Sequence, residues 1–374
     1  MSNNIPTMPQ NTLKCEGCGA FVAFEAGTNN LKCPYCGNTQ AIEASKDNSR
    51  TFKFDDYNAT QKTVSRLMIN CHNCGTTVTL PDAVTSDNCP FCASPLVVNM
   101  GKHILTQQPD YVIPFVVNRE KAQKEFSQWA SKLWFAPSDL IHRINQISSH
   151  QLQGVYIPYW CYNTHSASAY SGSRGDYYYV KETHTKVVNG ETVTETRSVR
   201  HTRWTPVSGN VKLYFENLLV SASPSLPQKT SEILEPWNLT LLVGFDDRYV
   251  AGFRSETFRI NAKEAFEVAQ KRTENAINDA VTEDIGGDEQ DIDNIETTYH
   301  STEIRYLLLP VWLSSYQYKG KLYQLVINAC TGEVTGGRPY SAIKITLFVL
   351  FIIAILVVAF VMIQQNQQHT SYGY

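Results

Sequence analysis

Four short phrases decide how this chain is read: Cys15-Glu16-Gly17-Cys18-Gly19, Cys33-Pro34-Tyr35-Cys36-Gly37, Cys71-His72-Asn73-Cys74-Gly75 and Cys89-Pro90-Phe91-Cys92. Fourteen residues separate Cys18 from Cys33 and fourteen separate Cys74 from Cys89, so two frames of identical spacing begin 56 residues apart. Two residues between paired cysteines let both sulfurs point at one ion. A following glycine supplies the positive φ that the turn needs, and only Ala93 departs from that pattern. Each pair of phrases brackets a span suited to a short β-hairpin, and four thiolates closing tetrahedrally is the geometry of structural zinc. Cys15, Cys18, Cys33 and Cys36 are thus expected to hold one Zn²⁺, and Cys71, Cys74, Cys89 and Cys92 a second. A closed four-cysteine site has no open coordination position, which makes it structural. A redox C-x-x-C pair would come singly, within a βαβ frame.

The other end of the chain is apolar. Ile345 to Ile363 is a run of 19 residues without a charge, an amide, Gly or Pro. At 1.5 Å per residue it spans about 28 Å, close to the hydrocarbon thickness of a bilayer. No helical face of it is polar, which argues against a buried core helix. Arg338 and Lys344 precede the run, and Gln364–Tyr374 contains no Lys or Arg. Positive charge stays inside, so the N-terminal part is expected in the cytoplasm and the short tail outside. Thiolate ligands need a reducing compartment and point the same way. The polar Met1–Gln10 segment does not read as a secretory signal.

Composition fits this division. Hydrophobic residues are 43% and charged residues 18% of 374, enough for a real core. The net charge of −3 excludes a strongly basic nucleic-acid binder. The mean hydropathy of −0.27 hides the apolar run. Residues 1–103 hold eight basic and eight acidic side chains and are neutral. That disfavours the alternative of a membrane-tethered nucleic-acid-binding protein, because phosphate binding needs a local cationic excess.

Between these ends, aromatic and β-prone residues read as a tandem α+β arrangement. In the first half, Val112–Val117 is a strand and Asn118 caps a helix to about Phe135. In the second, Thr257–Ile260 is a strand and Asn261 caps a helix to about Thr282. Each helix precedes an apolar element with a proline and a tryptophan, Val155-Tyr-Ile-Pro-Tyr-Trp160 and Leu307-Leu-Leu-Pro-Val-Trp312. This pattern indicates an internal duplication. Tyr318–Val326 reads as a hairpin, as does Asp176–Trp204 around Asn189-Gly190. Asp279–Glu296, with eight acidic residues, lacks the register of a calcium loop and reads as a solvated acidic loop. Cys161 and Cys330 read as buried small hydrophobes.

The expected order is a zinc ribbon at 1–44, a linker at 45–66 and a second ribbon at 67–103. An α+β domain follows at 104–340, with halves about 109–235 and 236–340 and a hairpin insertion about 173–206. A transmembrane helix at 341–363 and a polar tail at 364–374 complete it. No H-E-x-x-H, G-x-S-x-G or phosphate-loop motif occurs in the chain, and a non-enzymatic protein is expected.

At the ribbons, and in phrases such as Val112-Ile-Pro-Phe115, Trp134-Phe-Ala-Pro137, Gly154–Trp160 and Arg203-Trp-Thr-Pro-Val-Ser-Gly209, the chain resembles a family of tandem zinc-ribbon membrane proteins. Members carry the label of a TFIIB-type zinc ribbon or of a primosomal helicase. The helicase label does not transfer, since nothing here would hold ATP. The resemblance implies an envelope-associated protein whose partners are PspA-like or flotillin-like. The sequence thus leads to a membrane-anchored adaptor that organises a cytoplasmic protein partner through rigid ribbons.

Overall fold

A computed structural model describes residues 13–43, 50–57, 61–79, 87–96, 101–139, 152–188 and 191–371. Two small cysteine-rich units come first, then a strand-rich domain, then a long apolar helix. The first unit is an antiparallel sheet of β1 (Ala23–Phe24), β2 (Asn30–Lys32) and β3 (Thr39–Ala41). After β4 (Phe52–Lys53), the second unit is built on β5 (Thr63–Asn70), β6 (Thr77–Thr79), β7 (Asp87–Asn88), β8 (Pro95–Leu96) and β9 (Lys102–Gln107). In it β5 lies between β6 and β9, and β7 pairs with β8. Within the span expected as a linker, β4 adds to the main sheet and Tyr57 is buried.

The main sheet grows around two long strands, β11 (Gln153–Val188) and β15 (Glu289–Tyr318), which pair antiparallel through their apolar elements. The elements Val155–Trp160 and Leu307–Trp312 are buried on both sides, which is why they read as continuous apolar runs rather than alternating ones. Side chains still alternate in direction. Tyr156, Trp160, Tyr306, Leu308 and Trp312 enter one core, whereas Val155, Ile157, Tyr159, Leu307, Leu309 and Val311 enter the other. Around this pair lie β10 (Tyr111–Val112), β12 (Glu191–Ser221), β13 (Val243–Gly244), β14 (Arg254–Ser255), β16 (Lys321–Asn328) and β17 (Val334–Gly336).

The repeat is visible bond by bond. Ile157 pairs with Leu309 at the centre of an approximate dyad. Across it, β10 runs parallel to β15 and β14 runs parallel to β11. Ile113 N–H donates to Leu308 O at 3.1 Å, and Glu256 N–H to Tyr156 O at 2.9 Å. The Trp312 indole donates to Val117 O at 2.7 Å, and the Trp160 indole to Ile260 O at 2.9 Å. Ala329 N–H donates to Pro310 O, and Ala222 N–H to Pro158 O. Each half therefore closes on the other. Val117 and Ile260 directly precede the caps Asn118 and Asn261, whose side chains accept from the first turns of α1 (Arg119–Ser131) and α2 (Ala262–Ile285).

Several boundaries differ from expectation for local reasons. Strand pairing before α1 is confined to Tyr111–Val112, because Pro114 has no N–H to offer a ladder and Val116 and Val117 donate instead to Ala329 O. Before α2 the strand is Arg254–Ser255, and Arg259 and Ile260 both donate to Ala222 O. Helix α1 stops at Ser131, and a turn through Trp134 to Ala136 continues the chain. The acidic run is no loop. Ile277, Val281 and Ile285 pack under Tyr170, extending α2 to Ile285, and after Gly286-Gly287 the chain enters β15. The hairpin at 173–206 is the outer part of β11 and β12, which already pair from Tyr159 and Ser221. Beyond Gly175, where β15 ends its pairing, these two strands form an arm of about 40 Å. The tip at Asn189-Gly190 lies outside the described residues. Tyr318 pairs with Lys321, giving the hairpin expected there.

Helix α3 (Ala342–Ser371) is one continuous helix. Its Ala342–Ile363 stretch contains an 18-residue window of mean hydropathy 3.3 with no part buried, long and apolar enough to cross a membrane. The helix runs on into the expected tail as far as Ser371.

Candidate metal centres

Each of the four C-x-x-C phrases folds in the same way. The first cysteine's N–H donates to the carbonyl five residues on, and its own carbonyl accepts from the N–H four residues on. Cys15 pairs with Ala20 and Gly19, Cys33 with Asn38 and Gly37, Cys71 with Thr76 and Gly75, and Cys89 with Ser94 and Ala93. The fourth residue after the first cysteine always has positive φ: 72° at Gly19, 75° at Gly37, 72° at Gly75 and 58° at Ala93.

These turns converge in pairs. Cys15 and Cys36 sulfurs lie 3.5 Å apart, as do those of Cys18 and Cys33. In the second group, Cys71–Cys92 is 3.5 Å and Cys74–Cys89 is 3.6 Å. All ligand atoms within each group lie inside 4.8 Å of one another. A tetrahedron with Zn–S near 2.3 Å has S···S edges of about 3.8 Å, so each group can hold one zinc ion. Four thiolates per group is the donor set that suits zinc and leaves no position for substrate.

The surroundings of the sulfurs differ. Backbone N–H groups of Cys18 and Gly17 hold the Cys15 thiol down to about 6, and that of Cys36 lowers Cys33. Gly17 N–H donates to Cys15 Sγ at 3.4 Å, with Asn38 Nδ2 at 3.8 Å. In the second group, burial raises the Cys71 and Cys89 thiols.

Both centres are attached to the main domain, on opposite faces of its sheet. Cys15 and Cys33 belong to the core that contains Trp160 and Trp312. Phe24 N–H donates to Ala251 O, Gly27 N–H donates to Phe115 O, and the Phe24 ring meets Tyr249 edge-on at 5.5 Å. Cys71 and Cys89 belong to the other core, with Val155, Leu226 and Val326. Gln324 Nε2 and Ser315 Oγ both donate to Phe91 O. Thr257 N–H donates to Thr77 O, and Ser255 N–H to Thr79 Oγ1.

At this second seam sits a carboxylate that no sequence signal marks. Glu256 is fully buried, and its Oε1 accepts short hydrogen bonds from Ser223 and Ser225. Ser225 Oγ lies 2.8 Å from Thr76 Oγ1, which is 3.3 Å from Cys74 Sγ. Arg259 spans the same seam, donating to Gly75 O and to Ser225 Oγ. Burial pushes Glu256 up to about 7.

Of the two remaining cysteines, Cys161 is buried beside the Arg305 guanidinium at 3.3 Å, and Cys330 is half-buried. Burial raises both thiols.

No family model matches the chain, and no solved structure matches it. The chain is similar to the uncharacterized protein YdjG of Bacillus subtilis (strain 168), with 26% identity over 249 residues. The match covers 63% of this chain and spans 65% of that protein's length.

Proposed function

We propose that the protein is a membrane-anchored, non-enzymatic zinc-ribbon adaptor. It recruits or organises a cytoplasmic protein partner at the membrane, in the envelope-stress or membrane-remodelling setting that the family resemblance implies. The observation that carries this reading is the attachment of both closed four-cysteine groups to opposite faces of one sheet. Metal sites used this way stiffen a surface rather than perform chemistry. A rigid surface lowers the entropic cost of docking a partner. The apolar helix supplies the anchor, with the N-terminal domains on the cytoplasmic side and the C-terminal end outside.

Partner capture tests it. Full-length protein extracted from membranes in mild detergent should co-purify with a specific protein, PspA-like or flotillin-like, identified by mass spectrometry. Retrieval of the chain alone from membranes would count against the adaptor. For sidedness, a reporter fused after Tyr374 should be exposed outside, and cytoplasmic reporter activity would reverse the topology.

A further inference from the structure

We infer that the turn after α1, centred on Trp134 and Phe135, lies in the headgroup–acyl boundary of the bilayer that α3 crosses and forms a second membrane contact. This inference rests on the membrane-spanning reading of α3 and adds to it where and how the folded domain meets the lipid.

Trp134 is a large apolar side chain left 72% exposed. It stacks on Phe135 at 6.0 Å, and both rings meet Phe348 of α3 edge-on, at 6.1 Å and 5.4 Å. Two hydrogen bonds lock the same turn to the start of the helix. Ser341 N–H donates to Phe135 O at 2.8 Å, and the Lys344 ammonium donates to Ala136 O at 2.7 Å. The turn and the first helical turns therefore move together.

Depth then follows from the sequence of α3. The apolar run starts at Ile345, so Phe348 lies three residues, or about 4.5 Å, along the helix axis inside it. Whatever rests on Phe348 rests at the edge of the hydrocarbon, with the charged Lys344 marking the headgroup level. Tryptophan favours this depth, since its ring is apolar and its N–H polar. The neighbourhood is also cationic. Tyr318 Oη donates to Asp139 at 3.0 Å, bringing the β15–β16 hairpin tip with exposed Lys319 and Lys321 beside the turn. Asp139 is the acidic side chain in this contact, and the lysines suit anionic headgroups. Two attachment points prevent the domain from pivoting about α3 as a flexible tether would allow.

The test uses the full chain in vesicles of phosphatidylcholine and phosphatidylglycerol. An environment-sensitive fluorescent amino acid is incorporated by codon suppression, which leaves the zinc-binding cysteines untouched, at position 134, 356 or 35. Quenchers are nitroxide lipids labelled near the glycerol or near the chain end, and aqueous iodide. Position 134 should lose most of its emission to the shallow nitroxide and little to iodide. Position 356, in mid-span, should respond to the deep nitroxide, and position 35, exposed in the first ribbon, to iodide alone. If 356 responds but 134 is quenched by iodide like 35, the span stands and the second contact is wrong. If 134 is shielded from both quenchers, protein covers it and the inference also fails. If 356 gives no lipid quenching, the spanning reading falls and takes this inference with it.

Discussion

Ala93 takes the left-handed turn conformation that three glycines take in the other knuckles, at φ 58°. For an L-residue that costs on the order of 1 kcal/mol. Ala93→Gly should therefore stabilise the second ribbon by about 0.5–1 kcal/mol, seen as slower zinc loss to a chelator with no change in zinc content. Glu256 makes a different residue-scale prediction. Folding raises its pKa from 4.5 to about 7, so the folded chain keeps a proton that the unfolded chain has lost. Its contribution to stability is complete below about pH 4.5 and is lost as pH rises through 7. Between pH 6 and 8 the wild type should lose about 1 kcal/mol relative to Glu256→Gln in denaturant titrations. A constant difference across that range would mean the carboxyl does not titrate there. At this scale the ligand set was readable because zinc coordination dictates spacing, and Ala93 was visible as a departure. Glu256 was not, since a buried carboxylate is made by its tertiary surroundings and leaves no local pattern.

Elements were legible where one local interaction decides them. Asn118 and Asn261 announced helices because N-cap chemistry is local, and the Pro–Trp elements announced a repeat. The exchanged hydrogen bonds give that repeat its energetic content. Trp160→Phe and Trp312→Phe should leave a part-buried carbonyl, Ile260 O, and a buried one, Val117 O, without their indole donors. Each should cost about 1–3 kcal/mol in chemical denaturation, with similar values because the two sites match. The helical end in the acidic run was not legible. Eight carboxylates read as loop, while the three apolar residues at i, i+4 and i+8 that hold the helix are informative only once Tyr170 is seen above them. Before the caps, Val112–Val117 pairs over a shorter stretch than the sequence suggests and Thr257–Ile260 is not a strand, for a related reason, as N–H groups there donate to Ala329 O and Ala222 O from outside the local sequence.

At the scale of the whole molecule, the two ribbons read in sequence as separate modules on a linker, yet both pack into the main domain. Attachment surfaces carry no periodic signal, and the residues that make them, such as Phe24, Thr77 and Phe91, look ordinary in the sequence. It follows that metal removal should disturb the sheet domain as well as the ribbons. Chelation of the full chain should speed amide exchange at Phe24 and Thr257, whose N–H groups cross the two seams. Unchanged protection there would mean the ribbons are not coupled to the sheet. One preparation tests most directly whether two closed zinc centres are built into a membrane-held protein. Full-length chain extracted with detergent from washed membranes should contain about two zinc ions per chain by elemental analysis, one for each four-cysteine group. A chain absent from the washed membranes, or one carrying a single zinc or none, would contradict it.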